Sequence, residues 1–191
     1  RSCDFENVPG VPLVYWLAGA ALSAFASFGR VGDVAELKAG ISTGDNTRFQ
    51  RFWFEVSKSS IRFAQTDSGA GPWVPCNSGG SFRRWYGNND IVMLWDQDGR
   101  EIAEHPSSAL RNLDYMGRPG LTYSKVSSGA FAARLREAGF NFDDTGRSIF
   151  GADVNTETRL LGFLNSAVAH HYLTALAPTL SFTSAEIGNV P

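Results

Sequence analysis

Three segments of this chain combine residue types that bind anions and the edges of nucleic-acid bases. The richest reads Asn77-Ser78-Gly79-Gly80-Ser81-Phe82-Arg83-Arg84-Trp85-Tyr86-Gly87-Asn88. Glycines before an Arg-Arg pair let backbone come close to a phosphate, the guanidinium fork matches its oxygens, and the rings that follow can stack or pack. On a strand only one of Arg83 and Arg84 faces a given side, so one contact suffices. A second segment runs from Lys38 to Arg51 through Gly40-Ile41-Ser42-Thr43-Gly44-Asp45-Asn46. It offers exposed N–H groups, the Ser42 and Thr43 hydroxyls, an Asn46 amide suited to an adenine edge, and Arg48 and Arg51 as phosphate clamps. The same residues also read as a capped turn before a helix. The third, Thr122-Tyr123-Ser124-Lys125-Val126-Ser127-Ser128-Gly129 with Arg134 after it, is hydroxyl-rich in the manner of phosphate-contacting loops and of ordinary hairpins alike.

Charge supports the middle of the chain as the place to look. The whole carries a net charge of -2, but residues 38–136 hold thirteen basic and nine acidic side chains, and the two flanks are acidic. The basic residues of the middle are mostly arginine; lysine occurs only at Lys38, Lys58 and Lys125. A solvated arginine-rich surface would give the same balance.

Other chemistries lack their residues. There is no Pro-Pro pair, which an adenine-N6 methyltransferase uses to hold its extruded base, and no glycine-rich phosphate loop after a strand. His105, His170 and His171 have no metal-ligand spacing. The pairs Asp96/Asp98 and Asp143/Asp144 fall in turns, which favour Asp for structural reasons. Glu36-Leu37-Lys38 has Asp33 too close upstream for a metal-dependent nuclease, and no serine sits in a nucleophile elbow. Cys3 and Cys76 suggest neither disulfide nor zinc, no apolar run spans a bilayer, and no basic stretch makes residues 11–28 a signal peptide, so the chain reads as cytoplasmic and without a membrane. A start at Arg1 and an abrupt end at Pro191 read as a piece of something longer.

The elements expected to position these segments are helix, many strands, helix. Pro12 opens a helix over 12–28, apolar nearly all round and so expected to be buried. A short strand is expected near 34–37, a helix capped by Asp45 or Asn46, and strands over 51–56 and 61–65. Residues 67–80 read as a long irregular stretch, 81–86 and 90–95 as strands around Gly87-Asn88-Asn89, and 96–99 as a turn. Residues 100–114 read as a helix disturbed by Pro106; strands follow at 121–126 and 130–135, then short strand and turn over 140–150. A stripe of Leu160, Leu161, Phe163, Leu164, Val168 and Leu173 predicts one helix over 155–176, with a last strand at 179–182. The fold class is α+β: one domain over 1–191, a mixed sheet flanked by an N-terminal and a C-terminal helix.

Taken together the motifs resemble one family. Gly40-Ile41-Ser42-Thr43-Gly44-Asp45-Asn46, with Arg48-Phe49 and the run from Arg51 to Val56, resembles a motif of the PglX-type adenine methyltransferases of BREX phage-defence systems. So do Gly79-Gly80, Phe82-Arg83-Arg84-Trp85-Tyr86-Gly87-Asn88 and Trp95 with Asp98-Gly99, Glu101 and Ile102. The opening Val8-Pro9-Gly10, Pro12, Tyr15-Trp16 and the closing Leu161-Gly162, Leu164-Asn165-Ser166 and Pro178-Thr179-Leu180 are similar to the family's too. Arg84 stands where the family has lysine, which keeps charge and alters geometry.

The resemblance implies a target-recognition domain, akin to those of type I specificity subunits and type IIG enzymes. It would read double-stranded DNA without being an enzyme itself, while a separate domain of the parent binds S-adenosylmethionine and transfers the methyl group. No cofactor or metal is expected in this segment. The partners implied are DNA, the parent's methyltransferase domain and other defence-system proteins, the last being the alternative role of a protein-docking module. Phosphate contacts are expected from Lys38, Arg48, Arg51, Arg83, Arg84 and Lys125, base readout from Asn46, Asn88 and Tyr123, and support from Ser42, Thr43, Gly79, Gly80, Tyr86, Ser124 and Ser128.

Overall fold

Strands form where β-branched and aromatic residues cluster. The computed structural model describes residues 6, 8–10, 13–63, 71–127 and 129–191. Among them lie β1 (Ala35–Lys38), β2 (Gln50–Phe52), β3 (Trp73–Asn77), β4 (Ile91–Leu94), β5 (Gly120–Ser124), β6 (Ala133–Arg136), β7 (Asn141–Phe142) and β8 (Gly146–Gly151). The helices are α1 (Gly19–Ser27), α2 (Val31–Val34), α3 (Asn46–Phe49), α4 (Arg100–Ala103), α5 (Val154–Leu164), α6 (Ala167–Leu176) and α7 (Ser184–Gly188). The class is α+β, and the strands are shared between two four-stranded sheets. The first, β1-β8-β5-β6, is antiparallel throughout. The second, β2-β4-β3-β7, has one parallel pair, β3 with β7.

Alternation assigns the two faces of the first sheet. Leu121, Tyr123, Ala133 and Ile149 turn to one side and pack against Leu160, Leu164, Leu173 and Ile187 of the C-terminal helices. On the other side lies a polar row in register, Lys38 beside Ser148, Ser148 beside Thr122, and Thr122 beside Arg134. Phe150 shares that face and meets Phe142 of β7 with ring centroids 5.9 Å apart, which joins this layer to the second sheet. The second sheet has its own core of Ile41, Phe49, Val74, Cys76, Met93, Trp95 and Ile102. Burial pushes the Cys76 thiol well up, so it is a packing residue.

Several elements differ from expectation for identifiable reasons. The helix read over 155–176 is two, because Asn165 leaves the helical ladder to clamp β6: its Oδ1 accepts from Ala133 N at 3.0 Å and its Nδ2 donates to Ala133 O at 2.9 Å. Ser166 then caps α6, accepting from Ala169 N at 3.2 Å. The helix read over 100–114 stops after Ala103, since Pro106 cannot continue it. Residues 81–86 form no strand; Trp85 and Asn88 have φ of 73° and 59°, and only an isolated bridge joins Trp85 to Arg134. The strand read over 51–56 ends at Phe52, whose N–H is taken by Glu55 Oε2 at 2.7 Å. Residues 179–182 make a single bridge, Val126 to Ser181, and 61–63 only that of Ile61 to Trp73; 64 and 65 lie outside the described residues.

Three elements were missed: the one-turn helix α2, a strand of the second sheet and helix α7. Within the stretch read as irregular, Trp73–Asn77 is a central strand: Trp95 N donates to Pro72 O at 2.7 Å, a phase that points the Pro75 nitrogen away from β4. Helix α7 is closed by a capping box, Thr183 N donating to Glu186 Oε2 at 2.6 Å. Helix α1 begins later than expected and buries only Ala24 and Phe25, because α6 covers just one side of it through Tyr172 and Ala175; Pro12 lies outside the described residues. No described helix is long and apolar enough to cross a membrane.

Candidate nucleic-acid interface

The glycine–arginine segment and the hydroxyl-rich segment meet. Gly79, Gly80 and Asn88 line an open cleft of about 460 Å³, together with Ser78, Ser81, Phe52, Asp90, Val126 and Thr145. Ser124 Oγ donates to Gly80 O at 3.3 Å, and Trp85 is sewn to β6 by Trp85 N to Ala133 O at 3.0 Å and Leu135 N to Trp85 O at 2.8 Å. Arg83 and Arg84 follow the glycines and are exposed, and among the described residues neither forms an ion pair. Arg84 lies 5.4 Å from the Phe82 ring, and Arg83 runs over Gly87, where a Cβ would come within 2.8 Å of its Cδ. Tyr86 is exposed and donates to Glu137 Oε1 at 3.1 Å.

Asp143 fixes the floor. Its Oδ1 accepts from Thr145 N at 2.9 Å, Thr145 Oγ1 at 2.7 Å and Gly146 N at 2.8 Å, and its Oδ2 accepts from Ser78 Oγ at 2.7 Å as well as from Gln50. Thr145 Oγ1 in turn accepts from Gly79 N at 3.0 Å. The glycine loop is therefore held by the turn between β7 and β8. Beside it Asp144 gathers three cations, Lys125 at 2.6 Å, Arg147 at 3.2 Å and Arg111 at 4.0 Å. Burial works to raise the Asp144 carboxyl, and these partners outweigh it and hold it below the ordinary value.

Several expected contact residues are buried or already engaged. Tyr123 is 0% exposed in the core against the helices, with its hydroxyl pushed up by burial to about 12, so it presents no edge to a base. Asn88 is buried and braces the loop, donating to Ser81 O at 2.9 Å. Thr43 is buried and donates to Asn46 Oδ1 at 2.6 Å, which leaves exposed Asn46 its amide nitrogen. Ser124 is buried, and Ser42 is engaged through its backbone with Ala109. Among the cations, Lys38 pairs with Glu36 at 2.6 Å and lies 4.6 Å over the Tyr115 ring; the Glu36 carboxylate raises its pKa. Arg48 pairs with Glu101 at 2.9 Å, and Arg51 donates to the Thr47 and Gln50 carbonyls. The segment from Lys38 to Arg51 thus holds a capped turn, with Asp45 Oδ1 accepting from Arg48 N at 3.0 Å. Ser128 lies outside the described residues.

Sequence reasoning missed the rings on the cleft side of β2. Phe52 and Phe54 are 46% and 65% exposed and stack with centroids 5.3 Å apart and planes within 6°, with Trp53 edge-on to Phe54. Consecutive aromatics read as part of a strand over 51–56; the clue was Glu55, whose carboxylate takes the Phe52 N–H and ends that strand. Among the described residues no cluster of three or more His, Cys, Asp or Glu can hold a metal.

With this geometry in hand, comparison with known proteins is informative. No family model matches the chain. The similar proteins are adenine-specific methyltransferases. One, PglX of Lacticaseibacillus casei (strain Zhang), is 34% identical over the whole chain, and another, BrxX of Escherichia coli O9:H4 (strain HS), is 31% identical over 98% of it. The chain spans 17% and 15% of the length of these two relatives.

Proposed function

We propose that residues 1–191 act as one DNA target-recognition domain of an adenine-specific methyltransferase in a phage-defence system. On this reading methyl transfer from S-adenosylmethionine occurs on another domain of a longer, cytoplasmic polypeptide. The supporting observation is the convergence of the Gly79-Gly80 and Ser124 segments on one open cleft, followed at once by two arginines without acid partners among the described residues. Such a surface suits a phosphate backbone, and the whole-chain similarity to adenine-specific methyltransferases supplies the context.

A mobility-shift titration with randomised duplexes at two salt concentrations tests this. The chain should retain DNA at low salt and release it steeply as salt rises. The double variant Arg83→Glu/Arg84→Glu should lose most of that retention, while Arg159→Glu, on α5 behind the opposite face of the sheet, should keep it. No retention at low salt would overturn the proposal.

A second reading, a protein-docking module, is favoured by a different surface. Just before α1, Tyr15 and Trp16 are 84% and 47% exposed with ring centroids 5.2 Å apart, exposed apolar surface of the kind that partners cover. Charge reversal at Arg83 and Arg84 would leave that contact untouched.

A further inference from the structure

Arg134 is 1% exposed, yet among the described residues no carboxylate lies within ion-pair distance of it. Its Nε has no acceptor, and its Nη2 reaches only the Ser124 hydroxyl, at 3.4 Å. That hydroxyl already gives its proton to Gly80 O, so its oxygen is one weak acceptor for a guanidinium with five N–H donors. Arg136, two residues on and equally buried, also has no ion pair among the described residues and leaves its Nε and Nη1 without acceptors, but its Nη2 donates to the carbonyls of Phe140 and Tyr115 and its guanidinium lies 4.6 Å from the Phe142 ring. A buried charge left without a partner is costly, and nothing in the fold of β6 requires one at position 134.

The loop above adds charge of the same sign. The two backbone hydrogen bonds of Trp85 flank Arg134 on β6 and fix beside it the loop that carries Arg83. Burial first, and the Arg83 charge second, push the Arg134 guanidinium down to about 10, still charged at neutral pH. Two adjacent guanidinium groups without an acid between them complement an oxyanion.

We propose that Arg134 and Arg83, with the Ser124 hydroxyl, form a seat for one phosphate group of a nucleic-acid backbone. The identity of the phosphate as a DNA phosphodiester rests on the function proposed above; the anion chemistry does not. An entering phosphate oxygen would take the Ser124 proton from Gly80 O, at a residue with no side chain to obstruct it.

The test uses the whole chain, inorganic phosphate and a mixed-sequence duplex. Phosphate should raise the melting temperature of the wild type and not that of Arg134→Met, which should melt at or above the wild type in phosphate-free buffer. The same variant should bind the duplex about tenfold more weakly whatever its sequence, with a log–log salt slope smaller by about 1. Should Arg134→Met fail to fold, Arg83→Met, which alters an exposed side chain, should show the same loss of phosphate response and of slope. Equal phosphate stabilisation and equal salt slopes in wild type and variants overturn the seat. A wild type that responds to phosphate through Arg134 but retains no duplex would keep the seat and overturn the DNA reading.

Discussion

Gln50 and Asp143 stand 93 positions apart in the chain, and the amide of one donates to the carboxylate of the other at 2.9 Å. The bond ties the first residue of β2 to the turn that leads from the second sheet into the first. Asp143 accepts four more hydrogen bonds there, from Ser78, Thr145 and Gly146. Asp143→Ala would leave those donors unmatched in a buried place and should cost about 3 kcal/mol, with Asp143→Asn intermediate. Urea unfolding of the three proteins measures this; a loss below about 1 kcal/mol for the alanine variant would show that water replaces the carboxylate freely.

Asp144 gives a pH signature. Its folded carboxyl lies below the ordinary value of 3.8, despite burial, because Lys125, Arg147 and Arg111 surround it. An acid depressed on folding contributes stability that is complete above its unfolded value and fades as pH falls through the folded one. The wild type should therefore exceed Asp144→Asn in melting temperature by a constant margin from about pH 5 upward, and the margin should close below 3.8. A margin unchanged at low pH would mean that shape, not charge, matters at this position.

The stacked rings of Phe52 and Phe54 lie open to solvent beside the cleft. Replacing both with alanine should move stability by no more than about 0.5 kcal/mol. Duplex affinity should fall roughly tenfold, as for loss of a stacking platform. The salt slope should stay the same, since no cation is removed; a changed slope would point to a rearranged loop instead.

Two glycines should respond oppositely. A Cβ at Gly40 would lie 2.2 Å from Phe142 O and 2.6 Å from Asp143 O, both backbone atoms, so Gly40→Ala should cost about 2 kcal/mol or more. At Gly162, in α5, a Cβ meets nothing within 4 Å, and Gly162→Ala should stabilise by about 0.5–1 kcal/mol. Thermal melts of the two variants decide; equal shifts would contradict the packing around Gly40.

What the sequence disclosed follows from how local each signal is. A cap at Asp45 or Asn46, a turn at Asp96–Gly99 and a short strand near 34–37 depend on neighbours a few residues away; the structure has the cap at Asp45, the turn in place and the strand at Ala35–Lys38. The capping box at Thr183 and Glu186 was equally local and was overlooked. The break at Asn165 was not legible, because its cause is the backbone of Ala133, 32 residues earlier. In the candidate site, glycines and arginines drew attention to the right segment, but residues 81–86 read as a strand and form an exposed loop, because Trp85 adopts a φ of 73°. Tyr123 misled because a strand hydroxyl looks alike on either face, and only the helices packed on one of them decide which is inside. Asp143 read as a turn residue and is one, but its role as a junction depends on Gln50 and Ser78, partners from two other parts of the chain.

Trp85 holds the loop to β6 through its own main-chain N–H and C=O. Fastening of that kind is blind to lettering: neighbouring positions such as Ser81, Phe82 and Arg84 can be rewritten without disturbing the seam. A scaffold joined in this way tolerates drift in a single exposed stretch, while its sheets and helices remain as they are.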